Sequence, residues 1–84
     1  MPEFNMHIGK TIKDVVDRQP KGRTITWFAE QLNCHRVNVY DIFNRSTIDT
    51  ELLRRISVIL DHDFFKDLSA EFHKLAEEEG LDQD

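Results

Sequence analysis

The residues with the most chemistry to offer lie close together, at Arg36, Val37, Asn38, Tyr40 and Asp41. Arginine presents rigid N–H donors, asparagine both donates and accepts, the aspartate carboxylate only accepts, and the tyrosine hydroxyl does either. Val39, Ile42 and Phe43 recur at helical spacing through the same stretch, so a helix over Arg36 to Asn44 buries those three and turns the polar set outward. A face that serves only for solubility is made of Glu and Lys. This one carries mixed donors and acceptors, and it reads as an interaction face. Two blander roles stay open beside that reading: Asp41 can pair with Arg45 one turn on, and Tyr40 can pack on the preceding helix.

Other chemistries find less support. Cys34 and His35 are adjacent, and His7, His62 and His73 are scattered, but no pair of Cys or His stands at a metal-ligand spacing, so no metal site is expected. No glycine-rich phosphate loop and no motif-borne nucleophile appears, and the carboxylates are spread along the chain. No catalysis, no cofactor and no small-molecule ligand is expected.

The elements that position the face can be read from periodicity. Ile8, Ile12, Val15 and Val16 make one side of a first helix. Gln19-Pro20-Lys21-Gly22 ends it, Pro20 and Gly22 being the Pro/Gly punctuation inside the fold. Thr24 caps a second helix carrying Ile25, Phe28, Ala29 and Leu32. Asn33 then suits a left-handed helix end. Ala29 is small enough to let the second and third helices approach, and Phe28, Leu32, Cys34, Val39 and Ile42 form their shared seam. His35 is a poor cap for the third helix. Asp49 or Thr50 caps a fourth, with Leu52, Leu53, Ile56, Ile59 and Leu60 inward. Asp61-His62-Asp63 makes a break. A fifth carries Phe64, Phe65, Leu68, Phe72 and Leu75 before Gly80. No alternating strand pattern competes. The expectation is an all-α bundle of about five short helices in one domain spanning residues 1–84. Its core runs over about 7–76, and an acidic tail over 77–84.

Eighty-four residues, 39% hydrophobic and 32% charged, suit a globular domain with a thin core. No apolar run reaches membrane-spanning length, and the opening Met-Pro-Glu-Phe-Asn lacks a leader's basic and apolar regions. One cysteine gives no internal disulfide, so the expected place is the cytoplasm. The net charge of −5 is unevenly spread. Residues 1–48 hold seven Lys/Arg against five Asp/Glu, and residues 49–84 hold four against eleven. The front half can face phosphate while the acidic end, as a solvated tail, faces away.

Phe28-Ala29-Glu30-Gln31-Leu32, then Cys34, then Val39 and Ile42-Phe43-Asn44, with Leu52-Leu53, Ile56 and Leu60 beyond, form a pattern at fixed spacing. From about Ile8 to Phe65 the chain resembles the lambda-repressor-like (Cro-type, XRE) helix-turn-helix family. It departs where Ile25 replaces the usual glutamine and Asn33 the usual glycine. The resemblance implies a prokaryotic, repressor-like transcriptional regulator, associated with the nucleoid, that binds duplex DNA with the Arg36–Asn44 helix in the major groove. It places Arg36, Val37 and Asp41 at base edges, with Asn38 and Tyr40 beside them. Arg36 would meet guanine, Val37 a thymine methyl and Asp41 cytosine N4. Thr24, Thr26 and Trp27 at the start of the second helix are phosphate candidates, Trp27 being equally placed to edge the core. So are Lys21 and Arg23 before it, and Asn44, Arg45 and Ser46 after the third helix. Such readers bind as two-fold dimers, and Phe72 and Leu75 are the expected homodimer contacts, while Phe64 and Phe65 cover the core. The competing class is a protein-interaction module on the same fold, binding a toxin or another regulator, which the modest positive charge of the front half favours.

Overall fold

The computed structural model describes residues 6–78; most of the acidic tail, from Glu79 onward, lies outside them. Five helices follow in order: α1 (Ile8–Asp17), α2 (Ile25–Gln31), α3 (Arg36–Phe43), α4 (Thr50–Leu60) and α5 (Phe64–Glu78). No strand occurs among the described residues. The core is one apolar cluster drawn from all five helices, with Ile12, Phe28, Val39, Ile56 and Phe64 fully enclosed. Each α1 residue placed inward by its spacing, Ile8, Ile12, Val15 and Val16, is buried.

The chain reverses twice by the same device. After α2, Asn33 takes a left-handed conformation (φ 57°), the Asn33 N–H bonds to Glu30 O and the Cys34 N–H to Ala29 O. After α4, Asp61 does the same (φ 52°), with Asp61 N–H on Val58 O and His62 N–H on Ser57 O. Both are Schellman ends, in which the two bonds occupy carbonyls that the helix cannot satisfy itself. Asn and Asp tolerate this backbone better than other L-residues because their short side chains can bond locally. The starts of α2 and α4 are capped in the ordinary way. Thr24 Oγ1 accepts from Trp27 N (3.2 Å), and the fourth helix is capped by Asp49, whose carboxylate accepts from Leu52 N (2.8 Å), while Thr50 is already helical.

α3 rests on α1 and α2, and its junction with α1 is made through backbone. The Gly9 N–H donates to Arg45 O (2.9 Å) and the Ile8 N–H to Ser46 O (3.3 Å). Two donors left open in α1's first turn are thereby satisfied by the chain leaving α3. Such an approach leaves no room for a side chain. A Cβ on Gly9 would lie 2.5 Å from Ile42 O and closer still to Phe43 O. Gly9, absent from the sequence reading of turn punctuation, is therefore the glycine on which the packing depends.

α4 is tied to both reversals. The Gln19 side chain reaches Leu60 O (3.4 Å), and the Arg55 guanidinium donates to Leu32 O (3.3 Å). On α5 one expectation fails. Phe64 is enclosed, but Phe65, expected to cover the core beside it, is 39% exposed. Successive residues sit about 100° apart on a helix, and a core this thin needs only one of the two rings.

Replacing glycine by alanine within a helix ordinarily stabilises by about 1 kcal/mol. At position 9 the expected sign is reversed: Gly9→Ala should destabilise by about 1–3 kcal/mol as α1 is forced off the end of α3. Urea unfolding measures this directly, and a midpoint at or above that of the parent chain would contradict the close approach.

Candidate nucleic-acid interface

α3 divides cleanly into two faces. Val39, Ile42 and Phe43 are buried, while Arg36, Val37, Asn38, Tyr40 and Asp41 are all exposed, as the spacing predicts. Val37 is 70% exposed, a large apolar side chain left in water between a cation and an amide. Tyr40 is 48% exposed, and its ring meets Phe43 edge-on with centroids 6.2 Å apart. Asp41 forms the anticipated pair with Arg45 (3.0 Å). Both partners are exposed, so the pair is worth only a few tenths of a kcal/mol and either can be drawn to another partner.

The first turn of α2 lies against the start of this face. The Arg36 Nη1 donates to Thr26 Oγ1 at 3.5 Å, joining two side chains to which the sequence gives separate roles. Nothing in the sequence marks this contact, because it depends on how α2 crosses α3. Thr24 is occupied as the cap of α2, yet its side chain remains exposed. Trp27 is half-buried against the core, so the core-edge role holds for its ring. Its outer side is covered by Arg23, whose guanidinium carbon stands 5.1 Å from the ring centroid and whose Nη1 also donates to Gln19 (3.3 Å). Lys21 is exposed in the same turn, which the left-handed Gly22 (φ 98°) completes.

Beyond α3, Asn44 is the C-cap, and Asn44, Arg45 and Ser46 are all exposed. The backbone carbonyls of Arg45 and Ser46 are spent on α1, which fixes where their side chains emerge. His35 caps α3 by backbone position alone, with no side-chain hydrogen bond to the helix. The cations on α4 have partners elsewhere. Arg54 binds Glu51 (2.7 Å), and that hydrogen bond, reinforced by the charge attraction, holds the Glu51 carboxyl below its ordinary range. Arg55 is tied to Leu32 O.

At the far end of the sequence, Phe72 is 55% exposed and Leu75 half-buried, so α5 retains an open apolar flank. Among the described residues no group of three or more His, Cys, Asp or Glu side chains is arranged to hold a metal ion. No helix there is long and apolar enough to cross a membrane. Compared with known proteins, the chain matches no family model, no curated protein and no solved structure.

Proposed function

We propose that this chain is a sequence-specific duplex-DNA-binding protein, a prokaryotic regulator of the repressor-like type acting at the nucleoid, with α2 and α3 as its helix-turn-helix. The observation that carries the reading is the exposed face of α3. Arg36, Val37, Asn38, Tyr40 and Asp41 offer a charged fork, an apolar knob, an amide, a phenol and a carboxylate on one surface of one short helix. An α-helix fits the major groove, where base pairs differ in their donors, acceptors and methyl groups, and these side chains are the matching set. Lys21, Arg23, Thr24, Trp27, Asn44, Arg45 and Ser46 flank the face before and after it in the chain, where a duplex presents phosphates.

One short helix reads too few base pairs for useful specificity, and a homodimer on two half-sites supplies the rest. The open flank of α5 at Phe72 and Leu75 is where the second copy would sit. Phe65, more exposed than its neighbour Phe64, widens that flank.

Two outcomes follow. On duplexes selected by the wild-type chain from a random-sequence pool, Arg36→Ala should weaken binding by about 1–3 kcal/mol, with a much smaller loss on scrambled duplex. An equal loss on both would make Arg36 a phosphate contact. Changing Phe72→Ser together with Leu75→Ser should preserve helical content, move sedimentation toward monomer and weaken binding to the selected site. A wild-type chain that sediments as a monomer at high concentration would contradict the dimer.

A further inference from the structure

We infer that Thr26 is a positioning residue that presents Arg36 to a guanine. The inference rests on the DNA reading and assigns to Thr26 a role different from a phosphate contact.

Arg36, unlike the cations that are held by carboxylates, keeps its charge uncompensated by its partner. Lys13 pairs with Asp17, Arg45 with Asp41 and Arg54 with Glu51, each a carboxylate within 3.0 Å and three or four residues away in the chain. Arg36 instead crosses from α3 to α2, and the group it meets is a neutral hydroxyl, Thr26 Oγ1, 3.5 Å from Nη1. A carboxylate would take two prongs of the guanidinium and cancel its charge. A hydroxyl accepts one hydrogen and leaves the charge whole. With Nη1 engaged, the edge formed by Nε–H and Nη2 is free, and that edge matches the paired acceptors O6 and N7 of guanine.

Thr26 is well placed to hold a long side chain still. It is the second residue of α2, whose first turn is fixed by the Thr24 cap and whose inner face, Phe28 and Ala29, is buried. A threonine side chain is confined in a helix to two main rotamers, so its hydroxyl has few places to go. An arginine left loose must surrender its rotamer freedom on binding; one already steered toward its target surrenders less. Thr26 thus acts through Arg36, on specificity more than on overall attraction to DNA.

The test uses duplexes selected by the wild-type chain from a random-sequence pool, with each guanine replaced in turn by 7-deazaguanine, which lacks the N7 acceptor. The wild-type chain should discriminate against replacement at one guanine. Thr26→Val, the same shape without the hydroxyl, should reduce that discrimination roughly three- to tenfold. Its affinity for scrambled duplex, its salt dependence and its melting temperature should stay at wild-type values. Thr26→Ser should restore the discrimination, and in an Arg36→Ala background Thr26→Val should change nothing further. If Thr26→Val instead weakens selected and scrambled duplex equally and lowers the salt slope by about one, Thr26 is a phosphate contact and the inference fails. Unchanged discrimination in Thr26→Val overturns it as well. A wild-type chain that binds no duplex at low salt defeats the DNA reading itself, a failure visible before any variant is made.

Discussion

The contact on which the rest of this molecule depends is the one between the first turn of α1 and the chain leaving α3, made through the backbone of Gly9. An isolated helix of eight residues does not persist in water, since nucleation costs more than so few bonds return. α3 is such a helix, and it buries only Val39, Ile42 and Phe43. It holds its shape because α2 closes on one side of it and α1 docks against its end. The Gly9 N–H on Arg45 O and the Ile8 N–H on Ser46 O fix where α3 stops. That in turn decides which of its residues point to water. The exposed set from Arg36 to Asp41 is a consequence of that docking as much as of α3's own sequence.

The second constraint is the pair of left-handed helix ends at Asn33 and Asp61. Each ends a helix with two bonds in a single turn of chain, so α2 meets α3 and α4 meets α5 without a long loop. The turn at Asn33 also brings the first turn of α2 beside the first residue of α3. Without it Thr26 and Arg36, ten positions apart in sequence, would not meet. Local backbone chemistry at one asparagine therefore reaches directly into the exposed face of α3.

Much of this was legible in the chain because it depends on local periodicity and local bonds. The apolar spacing of α1 and α3, the Thr24 cap and the left-handed Asn33 all follow from interactions within four or five residues, and they stand as expected. What was not legible depends on how distant segments meet. Gly9 sits within a regular apolar pattern, and only the approach of the Phe43 and Ile42 carbonyls explains why it has no side chain. The choice of Phe64 over Phe65 for the core turns on which face of α5 meets the rest of the bundle. The bond from Arg36 to Thr26 is a crossing of two helices, and neither residue signals it alone. The competition between Asp49 and Thr50 as caps was balanced in sequence, and the carboxylate on Leu52 N decides it.

Charge bears on the central claim in a way that can be measured. The net charge of −5 sets the whole chain against a polyanion, so the proposed DNA binding requires a local surface that includes Lys21, Arg23, Arg36 and Arg45. For a protein that replaces condensed counterions with such contacts, the logarithm of the affinity falls linearly with the logarithm of salt concentration, with a slope of about 0.9 per phosphate neutralised. The most direct test is the equilibrium binding of the wild-type chain to a mixed-sequence duplex across a range of salt concentrations. A DNA reader with this surface should bind at low salt and give a slope of about three to four per protomer. No binding, or a slope near zero, would contradict DNA recognition and leave the exposed face of α3 as a surface for another protein.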